Sequence, residues 1–117
     1  MDAAAFPVPP YWLAVFVSKR RGGDSDDGYA ETAARMMALA QTSSGFLGVE
    51  SARRDDGVGI TVAFWKTEAE LRAWKQVAEH REAQRQGRAD WYETYAVWVA
   101  QVERAYTEVT SPLDGLV

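Results

Sequence analysis

The chain has no cysteine and a single histidine among its 117 residues, and each shortage closes off a class of chemistry. Without cysteine there are no disulfides, no thiolate nucleophiles and few routes to a structural zinc site, a composition that fits a reducing cytoplasm. With one imidazole, a multi-histidine metal centre cannot form within one subunit, and no metal is expected. Basic residues are also in the minority. Thirteen Lys and Arg against 17 Asp and Glu leave a net charge of −4, with no long basic run to neutralise a phosphate backbone, so nucleic acid is not expected as a main partner. Met1-Asp2-Ala3 opens without a basic segment and no long apolar stretch follows, which speaks against both export and membrane insertion. No Ser/His/Asp order, phosphate loop or metal-ligand spacing occurs, and Gly22-Gly23 is a loop signal only.

What is present suits one domain. Hydrophobic residues make up 47% of the chain, enough for a core, although at this length a partner subunit would help to complete it. The clearest stretch is 59–80, GITVAFWKTEAELRAWKQVAEH. Ile60, Val62 and Phe64 alternate with Thr61, Ala63 and Trp65, the period of a two-faced strand. Thr67 and Glu70 then form a T-x-x-E capping box, which starts a helix at Glu68.

The remaining elements follow from this one. Residues 1–10 hold three of the four prolines and read as an arm. Residues 11–19 form a first strand, with Tyr11, Leu13, Val15 and Val17 on one face and Trp12, Ala14, Phe16 and Ser18 on the other. Asp26 or Asp27 would cap a helix over 28–41, where Tyr29, Ala33, Met36, Met37 and Ala40 recur at helical spacing and Gly45 acts as the stop. The two methionines read as core filling. The pairs Arg20-Arg21 and Arg53-Arg54 read as solvated strand ends. Residues 46–54 form a second strand, joined through Asp55-Asp56-Gly57 to the strand of the opening stretch in an antiparallel hairpin. A last strand spans about 95–106, and 107–117 is a tail, which leaves 11–106 as the domain.

The helix after Thr67 must break. Leu71, Trp74, Val77 and Ala78 share one stripe, and a straight continuation would drive Arg81 and Arg85 into its centre. A bend or restart between Gln76 and His80 is therefore expected, with the piece over 79–88 more exposed. The resulting order predicts an α+β fold, a ferredoxin-like βαββαβ sandwich with a four-stranded antiparallel sheet. Trp12, Phe16, Ala63, Trp65, Trp98 and Val102 then supply apolar surface for the sheet face that the helices leave open. Pairing of that face with an identical subunit would give a homodimer, a dimeric α+β barrel.

The strand TVAFW, the capped TEAELRAW, the segment KQVAEHREAQ and the closing WYETYAVWVAQVERAY resemble an antibiotic biosynthesis monooxygenase domain of the dimeric α+β barrel superfamily, over about 11–106. The resemblance implies a homodimer with a pocket between helices and sheet in each subunit. It further implies, for oxygenating members, oxidation of a small planar electron-rich aromatic ligand by O₂ without metal, flavin or other cofactor. Within the superfamily, the staphylococcal haem-degrading type has a helix tryptophan similar to Trp74 and a haem-ligating histidine ten positions farther on. Here that position is Gln84, and the first strand YWLAVFVSKR lacks the asparagine of those enzymes. Haem degradation is the minor alternative, and a non-catalytic dimer that binds a small ligand or a partner protein is the other.

Candidate site residues come with plainer readings beside them. His80 suits a general base near neutral pH, or is simply a solvated helix histidine. Trp65 and Trp74 suit a ligand-binding pocket wall, or core packing between helix and sheet. Arg81 suits an anionic oxygen of the ligand, as does Arg85, or both belong to a solvated face with Glu79 and Glu82. Gln84 completes the candidate ligand-binding set. An open pocket lined by Trp74, with His80 or an arginine facing into it, would favour catalysis; a pocket packed shut would favour the non-catalytic reading.

Overall fold

The computed structural model of the protein describes residues 6–22 and 28–109. Strands β1 (Tyr11–Arg20), β2 (Phe46–Arg53), β3 (Val58–Trp65) and β4 (Tyr92–Val102) form one antiparallel sheet in the order β2-β3-β1-β4. Helix α1 (Tyr29–Gln41) joins β1 to β2, while α2 (Glu68–Lys75), α3 (Ala78–Gln86) and one π-helical turn (Gly87–Trp91) join β3 to β4. This is the ferredoxin-like α+β fold expected from the order of elements. Among the described residues no helix is long and apolar enough to cross a membrane.

Strand register decides which side chains meet the helices, and here the sequence reading needs correction. Ala14 pairs with Ala63 and Val99, Phe16 with Thr61 and Val97, and Trp12 with Trp65, so these residues share one face. That face lies under the helices, where Ala14, Phe16, Ala63 and Trp65 line the space beneath α1, α2 and α3. The open face carries the other set instead: Leu13, Val15 and Val17, with Ile60, Val62 and Phe64, and with Trp98, Ala100 and Val102. Trp12, Phe16, Ala63 and Trp65 had been expected on the open face, and only Trp98 and Val102 stay there. Alternation within a strand sets two faces apart but does not say which one a helix will cover. The open face is apolar nonetheless, with Trp98 58% exposed and Ile60 45% exposed.

Other differences are local. Gly28, at φ 82°, occupies the N-cap of α1 with no side-chain cap; Asp26 and Asp27 lie outside the described residues. The last strand begins and ends earlier than expected, at Tyr92 and Val102. The hairpin turn forms as read, with Asp56 accepting from the Val58 amide at 3.1 Å and from Arg54. Those hydrogen bonds, that of Arg54 first, hold the Asp56 carboxyl below its usual range.

Candidate active site

The site begins at the capping box. Thr67 Oγ1 accepts from the Glu70 amide at 3.1 Å and donates to Glu70 Oε1 at 3.0 Å, so α2 starts at Glu68 as the sequence requires. Glu70 also accepts from Ser44 Oγ at 2.5 Å, which ties the start of α2 to the loop after α1. The Ser44 and Thr67 bonds lower the pKa of the Glu70 carboxyl. Gly45 belongs to the same joint. Its φ of 80° is the left-handed region that favours glycine, and a Cβ there would collide with the Glu70 carboxylate. Held in this way, α2 presses Leu71 into the core at 1% exposure and sets Trp74, one turn on, over the sheet.

The break then occurs where the arginines demand it. Val77 is extended at φ −61°, ψ 129°, α2 ends at Lys75 and α3 restarts at Ala78. After the restart Arg81 and Arg85 face outward, where Arg85 pairs with Glu82 at 2.5 Å. Arg81 lies on a separate, polar surface with Glu82, Gln84, Arg85 and Arg88, away from the aromatic cavity described next. The solvated-face reading therefore fits both arginines better than a ligand role.

Because α2 and α3 do not lie along one line, a cavity of about 370 Å³ opens between helices and sheet. Its floor is Ala14, Phe16, Thr61, Ala63 and Trp65, and its roof includes Met36 and Met37 of α1 and Trp74 of α2. Trp65 stacks on Trp74 with ring centroids 6.2 Å apart and planes 29° apart. Of the residues singled out from sequence, Trp65, Trp74, His80 and Gln84 meet around this cavity and Arg81 does not. Trp65 is core and wall at once, 1% exposed.

His80 is half-buried rather than solvated. Its ring lies 4.6 Å from the Trp74 ring, centroid to centroid, and its Nδ1 is enclosed without a hydrogen bond among the described residues. Burial lowers the imidazole pKa below its ordinary value; the Trp74 backbone opposes this and the positive charge of Lys75 adds to it. Burial thus favours the neutral ring, which stands in the lining of the cavity. Among the described residues no three His, Asp or Glu gather as metal ligands.

The other end of the cavity has no comparable signal in the sequence. Tyr29 and Tyr92 line it there, together with Trp91 and Tyr95. Tyr29 had been read only as one of the apolar stripe, and that stripe, Met36 and Met37 included, lines open space instead of filling it. Arg20, read as a solvated strand end, lies half-buried with its guanidinium carbon 3.8 Å from the centre of the Tyr29 ring. Arg53 donates to the Tyr29 hydroxyl at 2.9 Å. The available clue is a tyrosine at the cavity end of a methionine stripe, with arginines ending the two strands that α1 connects.

Comparison with known proteins agrees with this geometry. The family model described as antibiotic biosynthesis monooxygenase matches residues 17–86. The uncharacterized protein YqjZ of Bacillus subtilis (strain 168) is 48% identical over 98 residues, 84% of each chain. Among solved structures, SnoaB of Streptomyces nogalater, a cofactor-independent oxygenase, aligns with a TM-score of 0.70 at 16% identity, covering 86% of this chain and all (100%) of its own. PA3566 of Pseudomonas aeruginosa aligns at 0.66 and 14% identity, over 84% of this chain and 97% of its own. At such identities the two structures speak for the fold alone.

Proposed function

Since the chain belongs to the antibiotic biosynthesis monooxygenase family, we propose that it oxidises a small planar aromatic substrate with O₂ in the cavity under Trp74, without metal or flavin. The observation that carries this reading is the His80 imidazole, half-buried, kept neutral by that burial and lining an open apolar cavity against the Trp74 ring. Trp65 and Trp74 hold the ring system, the Gln84 amide meets a substrate oxygen, and His80 takes the acidic proton. The electron pair released on the substrate goes to O₂ and a C–O bond forms. The O–O bond then breaks, one oxygen remaining as a carbonyl and the other leaving as water. An activated ring CH₂ thereby becomes C=O with consumption of one O₂. The walls exclude bulk water from the carbanion while this happens.

An open cavity with an imidazole in its wall favours this reading over a non-catalytic binder. It also leaves an amide, that of Gln84, where the haem-degrading relatives need an imidazole. The test is oxygen uptake with a panel of anthrone-like and hydroquinone substrates beside a substrate-only control. Uptake above the control that requires His80 supports the reading; uptake equal to the control for every substrate overturns it. The same reading includes a homodimer closed through the open sheet face, supported by the apolar Ile60 and Trp98 exposed there. Sedimentation equilibrium at micromolar concentration should give a dimer, and Trp98→Glu a monomer; monomer alone for the unaltered chain contradicts it.

A further inference from the structure

The polar end of the cavity is built by two backbone irregularities. Between β1 and β4 the register slips by one, so that Lys19 pairs with Thr94 but Arg20 pairs with Tyr92. In a regular strand residues three apart point to opposite faces, yet Tyr92 and Tyr95 both face the cavity, because the bulge changes the phase between them. Glu93 is turned instead to Lys19, at 3.4 Å. Just before the bulge, the π-helical turn buries Trp91 against the edge of Tyr29, with centroids 5.5 Å apart. Gly87 opens that turn, and a Cβ there would come within 2.9 Å of the Tyr92 ring. The chain thus departs twice from regular geometry within the eight residues 87–94, and both departures deliver aromatic side chains to Tyr29.

The chemistry gathered there differs from the rest of the cavity. The Tyr29 and Tyr92 rings meet edge to face, with centroids 5.8 Å apart. Arg53 donates to the Tyr29 oxygen, and Arg20 lies over the Tyr29 ring. A hydroxyl whose oxygen already accepts from a guanidinium is a stronger donor through its own hydrogen. Burial, followed by the bond to Tyr29, raises the Tyr92 pKa, while the two arginines oppose it, so Tyr92 keeps its proton at neutral pH. The end of the cavity therefore offers a phenol O–H donor beside two guanidinium groups.

We propose that Tyr29 and Tyr92, supported by Arg20 and Arg53, anchor an anionic oxygen, so that the ligand of this cavity is an aromatic carboxylate or phenolate rather than a neutral hydrocarbon. This inference deepens the cavity reading and rests on it. It also sets the ligand's direction. Trp65, which stacks on Trp74, pairs with Trp12, and Tyr92 pairs with Arg20, eight residues farther along β1, a rise of about 26 Å, so the anchor stands well away from the Trp74 end. An acid held at the tyrosines places its ring system along the methionines and its far edge toward the imidazole.

The experiment uses the full chain and two probes with one skeleton, 8-anilinonaphthalene-1-sulfonate and N-phenyl-1-naphthylamine, which lacks the sulfonate. Their fluorescence gives two dissociation constants, and their ratio is the reading. Tyr29→Phe, which keeps the ring contacts, and Arg53→Gln should each shift the ratio against the sulfonate by roughly tenfold or more, the scale of a hydrogen bond to a charged group. Binding of the neutral probe should stay within about twofold, since neither change removes apolar wall. A ratio unchanged in both variants overturns the anchor, as does an equal loss for the two probes, which would make Tyr29 packing only. Trp74→Ala separates the two levels. If it weakens both probes while the ratio never moves, the anchor alone fails; if it weakens neither, the cavity reading fails and the anchor with it.

Discussion

The two ends of the cavity are made in different ways. The Trp74 and His80 end is the drier one, with Lys75 its cation: two tryptophans stacked 6.2 Å apart, an imidazole with an enclosed, unbonded nitrogen, and a helix interrupted at Val77. The Tyr29 and Tyr92 end is hydrogen-bonded and cationic, with Arg53 on a phenol oxygen and Arg20 on a ring face. The first end suits proton removal, since burial keeps its base neutral. The second suits orientation, since Tyr92 keeps its proton at neutral pH and two guanidinium groups stand against Tyr29. Chemistry at one end and binding direction at the other is a division that substitutions can break.

The largest expected effect is at the dry end. His80→Ala should reduce turnover by about a hundredfold or more, the contribution of a positioned general base, while probe affinity changes by less than about twofold. Equal losses in turnover and affinity would erase the difference between the ends. The same residue should set the acid limb of the pH profile. With its pKa lowered by burial, His80 takes its proton only below the ordinary imidazole range, so kcat/KM should hold through that range and fall beneath it. Stability follows the same sign. The unfolded chain binds a proton at this histidine from its ordinary pKa downward and the folded chain does so only later, so the folded state loses ground as pH falls through that window. His80→Gln should flatten both dependences, and an acid limb that survives the change would assign it elsewhere.

Smaller effects sharpen the contrast. Trp74→Ala should weaken an aromatic probe by about tenfold through loss of stacking area, with far less change in the sulfonate preference set at the other end. Thr67→Ala removes the cap that aims α2 and should cost about 1 kcal/mol in a denaturant titration. Its effect on binding should be confined to the Trp74 end. A cap deletion that also shifts the sulfonate ratio would show that the two ends are mechanically one.

The same contrast explains what could be read from the sequence. The dry end is governed by short-range rules: a T-x-x-E box read letter by letter, a stripe through Leu71 and Trp74, and two arginines that no core would accept. Each of these appears in the sequence at fixed spacing, so α2, the break and the meeting of Trp74 with His80 were legible. The polar end depends on a bulge beside Tyr92 and a π-helical turn over Gly87–Trp91, neither of which has a composition signature. Tyr92 therefore read as a lead-in to a strand expected to begin at Tyr95, and Arg20 and Arg53 as strand ends. The sheet faces were interchanged for a related reason. Phe16 and Trp65 are as apolar as Leu13 and Phe64, and only packing of the helices decides between them. His80 read most simply as solvated because its own neighbours in the sequence are polar, whereas what buries it is Trp74, across the break.

The most direct test of the account is a crystal structure of the protein with anthracene-2-carboxylate. The ring system should lie within the cavity, beside Trp74 and pointing toward His80, with the carboxylate on the Tyr29 and Tyr92 hydroxyls. The acid reversed in the cavity, or lying on the open sheet face by Trp98, would contradict it.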